Sequence, residues 1–281
     1  MITNYNDPKQ NEYLDEDRVH LLNKLNDNDV YEGDCLEFMK MLPNRYFDLI
    51  ITDPPYGINA GEQEAKNNKQ HGNAITKCRD WGQIKWDKDK ITKEYVDEMI
   101  RVSKNVIIFG GNYYANWLNP SSCWIVWDKI TGNNGYADCE LAWTSFPKAV
   151  RQFRFMWKGM FQENMNWKEK RVHPTQKPIA LGRWILQKFA NKGDKIFDPF
   201  AGSGSFLIAS KQMGYESVGC EINPEYIKII NERLQQTQLN GTTWETVFPL
   251  QESLISVKRE SADSPNSPHD SSTIKEEANF S

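Results

Sequence analysis

Cysteine is scarce and unpatterned in this sequence. The five cysteines, at positions 35, 78, 123, 139 and 220, form no CxxC pair and no even framework. That excludes a secreted disulfide scaffold and leaves a reduced cytoplasmic protein as the expectation. Cys78 and His71 lack the ligand spacing of a zinc site, so no metal is expected. No apolar run approaches membrane-spanning length, and the opening MITNYNDPKQNEYLDEDR has no signal-peptide core. No membrane association is expected. Two phosphate-binding patterns are missing as well. Leu207 stands where a dinucleotide fingerprint has its third glycine, and no Gly-Lys-Ser/Thr follows the Gly202/Gly204 pair.

What is present points to a folded catalytic domain. The chain has 281 residues, 12% aromatic and with ten tryptophans, enough to bury a substantial core. Net charge is −4, yet residues 146–196 hold twelve basic residues against Glu163, Glu169 and Asp194. Such asymmetry is an electrostatic footprint for a polyanion. A solvated helix face with scattered lysines accounts for part of it. Residues 1–28 are polar and acidic and read as an N-terminal arm. The stretch 251–281 is rich in Ser, Pro and Asp and reads as a disordered tail.

Between them, residues 29–245 carry seven β-like runs, at 30–32, 47–52, 105–110, 123–128, 139–146, 195–200 and 216–222. Helical patterns separate most of them. Thr92 can cap a helix bearing Val96, Met99 and Ile100, and Pro178 can open one with Leu181, Ile185 and Phe189 at four-residue spacing. A helix over 206–213 closes at Gly214, and Asn223-Pro224 starts another with Ile227, Ile230 and Leu234 facing inward. Alternating strands and helices imply an α/β fold, a mostly parallel sheet covered on both faces. Only the turn-rich stretch 130–135 separates the fourth and fifth runs, so that pair is expected to be antiparallel. Two stretches break the pattern: a polar loop over 59–90, expected to be mobile, and 148–171, where cations mix with aromatics. The second mix suits phosphate and base contacts by Arg151, Arg154, Lys158, Lys168, Lys170 and Arg171.

Asp53-Pro54-Pro55-Tyr56 ends the second apolar run. At the carboxyl edge of an open sheet, Asp53 and the Pro54 carbonyl can accept the hydrogens of an exocyclic amine while Tyr56 stacks on its ring. Pro54 and Pro55 stiffen the corner. A plain surface turn is the other reading. Downstream, Asp198-Pro199-Phe200-Ala201-Gly202-Ser203-Gly204-Ser205 follows a strand as a tight loop and helix start, and Glu221-Ile222 ends the next strand, where a carboxylate can hold ribose hydroxyls. The missing phosphate patterns favour a nucleoside without pyrophosphate. His173-Pro174-Thr175-Gln176-Lys177-Pro178 lies at a helix entrance, where Thr175, Lys177 and backbone N–H groups suit a carboxylate; it also reads as a helix cap.

Taken together, these motifs resemble the β-class amino DNA methyltransferases, closest to the phage or orphan adenine type, over about residues 28–240. The resemblance makes residues 53–56 the catalytic motif and residues 198–205 the S-adenosylmethionine loop. It adds 173–178 and Gly33-Asp34-Cys35-Leu36 as cofactor elements, with Asp34 contacting adenosine or merely capping a helix. It implies a circularly permuted, Rossmann-like methyltransferase fold whose runs are family strands 3, 4, 5, 6, 7, 1 and 2, with 148–171 as the target-recognition insert. The implied function is site-specific methylation of adenine N6 in double-stranded DNA by direct attack after base flipping. A cognate restriction endonuclease, or none, and a monomer or homodimer fit the family. Cytosine N4 is the first alternative, an RNA or protein-amide methyltransferase the second and a catalytically silent DNA-binding module the third.

Overall fold

The computed structural model describes residues 29–58, 90–130, 137–158, 161–163, 165 and 168–239. The chain divides into units over Met1–Gly241 and Thr242–Ser281. The second unit lies outside the described residues, as do the expected arm over 1–28, the tail over 251–281 and all of the 59–90 loop except Lys90.

In chain order, the first unit opens with β1 (Asp29–Glu32), α1 (Cys35–Lys40) and β2 (Phe47–Thr52). Next come α2 (Lys93–Val102), β3 (Ser103–Phe109), β4 (Trp124–Asp128), β5 (Cys139–Thr144) and β6 (Arg151–Arg154). A small ribbon, β7 (Trp157–Lys158) with β8 (Phe161–Gln162), precedes α3 (Ile179–Phe189). The chain continues through β9 (Ile196–Asp198), α4 (Ser205–Gln212), β10 (Ser217–Glu221) and α5 (Pro224–Leu239). Among the described residues no helix is long and apolar enough to cross a membrane.

Strand alternation builds a two-faced core. Leu49, Ile51, Ile107 and Phe109 point to one face, where Leu181, Ile185 and Phe189 of α3 and Phe206 and Ala209 of α4 cover them. Ile50, Val106, Ile108 and Phe197 point to the other, under Phe38 and Met39 of α1 and Val96, Met99 and Val102 of α2. The inward face read for α2 holds. Thr92 does occupy its N-cap position, but its side chain makes no capping bond.

The main sheet runs β1-β10-β9-β2-β3-β5-β4-β6. All seven expected strands are in it, and β4 and β5 pair antiparallel as expected. The permuted order also holds: β9 lies beside β2, with Leu49 opposite Ile196. The eighth strand is a departure from the expected seven. β6 runs parallel to β4 at the edge and comes from the expected recognition insert. Its sequence, Arg-Gln-Phe-Arg, buries only Phe153, so apolar content gives no strand signal there. Between β9 and β2 the chain changes winding direction. That is a topological switch point, and the crevice beyond its carboxyl ends is where such sheets bind ligands.

Candidate active site

Asp53 follows β2 directly and is 14% exposed. Its Oδ1 accepts the Tyr56 hydroxyl, and its Oδ2 meets the Lys177 ammonium. The Tyr56 ring stacks on Tyr113 with centroids 4.8 Å apart and meets Tyr114 edge-on at 6.4 Å. Gly110, just past β3 with φ +67°, makes that seat: a Cβ there would lie 2.1 Å from the Tyr56 ring. The Tyr114 hydroxyl donates to the Pro55 carbonyl and lies 3.4 Å from that of Pro54. Burial pushes the Asp53 carboxyl above its usual range, against the pull of Lys177. Burial and Asp53 likewise hold the Tyr56 phenol well above its usual range, so it stays a donor.

Lys177 is itself buried, at 7% exposure, and lies 3.1 Å from Glu140 Oε2. The other oxygen of Glu140 meets Lys129. Burial would raise the Glu140 carboxyl, but the Lys177 and Lys129 ammoniums outweigh it and hold it down to about 2. Burial would lower the Lys177 ammonium, and here Asp53 and Glu140 prevail and raise it. Glu140 was not singled out from sequence. A glutamate near the start of a strand carries no motif, and only the antiparallel direction of β5 brings it to this edge.

Beside this corner lies a cleft of about 140 Å³. Twelve residues expected to hold a cofactor line it: His173, Thr175, Gln176, Lys177, Asp198, Phe200, Ala201, Gly202, Ser203, Ser205, Glu221 and Ile222. Asp53 and Pro55 open onto the same cleft, so the two half-sites meet. Asp198 Oδ1 accepts Thr52 Oγ1 at 2.9 Å and the Phe200 N–H at 3.2 Å. Burial pushes its carboxyl up to about 8. Glu221 Oε2 accepts the Gly202 N–H at 2.8 Å, and its Oε1 accepts that of Asn223 at 2.9 Å, which ties the loop to the end of β10. The His173 imidazole, held down to about 3 by burial and by the nearby Lys177 and Arg171 cations, is neutral. Its ring meets Tyr226 edge-on at 4.4 Å. Phe206, Asn223 and Tyr226 also line the cleft and were not anticipated. The last two follow from the turn of the chain after Glu221, which spacing alone does not orient.

Four expected cofactor residues do not line it. Asp34 caps α1, accepting the Leu36 N–H at 2.9 Å, and takes the Tyr95 hydroxyl at 2.9 Å. The helix-capping role read for Asp34 is thus present in the structure. Cys35, the first residue of α1, is buried in the core. Pro199 is buried, and Gly204 caps α4 with φ +75°, where a Cβ would lie 2.9 Å from the Ile230 side chain. Pro54 is buried behind Asp53, and Tyr56 meets Asp53 through its hydroxyl while the Lys177 ammonium lies 5.9 Å from its ring centroid.

The basic stretch is less uniform than its charge count. Arg151, Lys168 and Lys170 are exposed, while exposed Arg154 pairs with Asp128 at 3.0 Å. Arg171 is half-buried and donates to the Pro174 carbonyl, and Lys177 and Arg183 are buried. The side chain of Lys158 lies outside the described residues.

A family model described as DNA methylase matches residues 84–232. The chain is 27% identical over 249 residues to the type II methyltransferase M.HpaI of Haemophilus parainfluenzae, covering 74% of each. It is 26% identical over 258 residues to the type II methyltransferase M.HinfI of Haemophilus influenzae, covering 76% of this chain and 70% of that one. Among solved structures, an M1.HpyAVI–SAM complex is similar at 23% identity and a TM-score of 0.45, over 73% of this chain and 99% of that one.

Proposed function

The chain belongs to the DNA methylase family, and on that premise we propose that it transfers a methyl group from S-adenosylmethionine to adenine N6 in double-stranded DNA. One observation carries the reading: Asp53 and the loop after β9 open onto one cleft at the switch point of the sheet. The cleft suits the donor chemically. Asp198 matches a cation, Glu221 matches a pair of hydroxyls, and Phe200, Ile222 and Tyr226 offer flat apolar surface for a purine. Bound there, S-adenosylmethionine supplies an electrophilic methyl group.

The protein's own work is to present the amine. Extruding the base from the duplex costs roughly a few kcal/mol. Stacking against Tyr56 returns on the order of 1–3 kcal/mol, as for other base–aromatic contacts. Asp53 and the Pro54 carbonyl accept the two amine hydrogens and turn the nitrogen lone pair toward the cleft. Each oxygen has a second lone pair, so the bonds already made by Tyr56, Lys177 and Tyr114 do not exhaust them. Orientation then supplies much of the rate. With the methyl group supplied by the bound donor, the amine proton, acidic once the nitrogen is alkylated, would pass to the Asp53 carboxylate. Adenine is preferred because Asp at position 53 of this motif resembles the adenine-directed enzymes. Site specificity follows the type II relatives, and the cytoplasm, where bacterial DNA lies, is the proposed compartment.

Asp53→Ala tests the assignment. Methyl transfer to duplex DNA is expected to fall by about 100-fold or more, since the amine loses its aim, while cofactor binding is largely retained. Transfer near the wild-type rate would remove Asp53 from the catalytic role.

A further inference from the structure

The Lys177 ammonium sits between two carboxylates, against Asp53 Oδ2 and 3.1 Å from Glu140 Oε2. The rings of Phe109 and Tyr56 close over it at 5.5 Å and 5.9 Å. An ammonium has three donors; Asp53 Oδ2 accepts one before any ligand arrives, and Glu140 Oε2 pairs with the charge. Glu140 reaches this point through topology. β5 runs against β3, so the start of β5 lies at the carboxyl edge, where the Gly110 N–H donates to the Leu141 carbonyl at 2.8 Å. Charge alternates along Lys129, Glu140, Lys177 and Asp53.

We infer that Lys177 and Glu140 are positioning residues for methyl transfer: Lys177 fixes the Asp53 carboxylate in its ionised, amine-aiming orientation, and Glu140 keeps the Lys177 ammonium in place. The inference rests on the amine-aiming reading of Asp53, and it takes Lys177 out of the group expected to grip the cofactor's carboxylate. A buried carboxylate stripped of its counter-ion takes up a proton and loses an acceptor site. Other titratable groups face the cluster: Asp198 and Tyr56 toward Asp53, His173 toward Lys177, Lys129 toward Glu140, and Tyr114 toward Tyr56. Asp198 is an acid and His173 is neutral, so neither replaces the ammonium. Lys129 is bonded to the far oxygen of Glu140.

The test compares Lys177→Met and Glu140→Gln with wild type in three measurements. They are the carbon-13 NMR titration of the Asp53 carboxyl in protein without DNA or cofactor, S-adenosylmethionine affinity, and single-turnover methylation at saturating cofactor. Lys177→Met leaves Asp53 beside Glu140 alone, so its midpoint is expected to rise by about one unit or more. Transfer is expected to slow by about 100-fold, with cofactor affinity unchanged. Glu140→Gln removes a like charge and is expected to lower the Asp53 midpoint, with a smaller loss of rate. Opposite shifts in the two variants support the network. Weakened cofactor binding in Lys177→Met with an unchanged saturated rate overturns it, and so does an Asp53 titration that Glu140→Gln does not move. Glu140→Gln preserves side-chain volume and carries the test alone if Lys177→Met does not fold. The titration needs no turnover, so it decides the network even if wild-type protein labels no DNA, a result that would instead overturn the functional reading.

Discussion

Asp198 ends β9 and lines the cleft with only 2% of its surface exposed, and burial pushes its carboxyl up to about 8. An unfolded aspartate ionises near its usual range, about 3.9. Between that value and about 8 the folded state therefore holds a proton that the unfolded state has lost. Stability from this group accordingly falls as pH rises through that window and levels off above it. A cation arriving in the cleft reverses the preference and favours the carboxylate. Binding of S-adenosylmethionine is thus expected to release a proton at pH 7 and to tighten toward pH 8. Calorimetry in two buffers of different ionisation enthalpy reads that proton directly, and Asp198→Asn should abolish it. A binding enthalpy at pH 7 that does not depend on the buffer would contradict this assignment. Asp198 and Glu221 were legible in sequence because each ends an apolar run before a turn. Glu140 was not, because nothing local distinguishes it from a surface glutamate.

Helices α3 and α4 pack closely at Gly182, where a Cβ would lie 2.8 Å from that of Ala209 and 3.1 Å from the Phe206 ring. A branched side chain there must separate the two helices. Gly182→Val is expected to destabilise the fold by about 1–3 kcal/mol, as overpacking does. Urea unfolding measures it, and an unchanged midpoint would mean that the helices part at no cost. Because α4 starts directly after Gly204, the same variant should also weaken cofactor binding. The elements with a strong period were readable. The four-residue spacing of Leu181, Ile185 and Phe189 locates α3, and the apolar runs locate β2, β3 and β9. β6 was not readable, because its edge position needs only Phe153 inside and leaves Arg151, Gln152 and Arg154 outside. Asp34 resisted for a different reason. An acidic residue before a helix looks the same whether it caps the helix or holds a ligand.

On the scale of the whole molecule, the motif order was the most telling feature of the sequence. The expected catalytic motif at 53–56 and the glycine loop at 198–205 are far apart in the chain, yet the parallel pairing of β2 with β9 sets them side by side. Charge was a poorer guide. The excess of cations in residues 146–196 is real, but Lys177 and Arg183 are buried and Arg171 turns toward the Pro174 carbonyl. Counting charge cannot separate inward cations from outward ones. Arg151, Lys168 and Lys170 are exposed, and we propose that they meet phosphate. Neutralising these three to glutamine is expected to weaken DNA binding at low salt. The dependence of log Kobs on log salt should become shallower by about 0.9 for each phosphate contact removed. An unchanged slope would move the DNA interface elsewhere.

The central claim is that Asp53-Pro54-Pro55-Tyr56 aims an adenine amine at a methyl donor in the adjoining cleft. Its most direct measurement is to incubate the protein with duplex DNA and isotopically labelled S-adenosylmethionine, digest the DNA to nucleosides and weigh them. Labelled N6-methyladenine is the expected product, absent with Asp53→Ala. Labelled N4-methylcytosine in its place, or DNA without label, would contradict the claim.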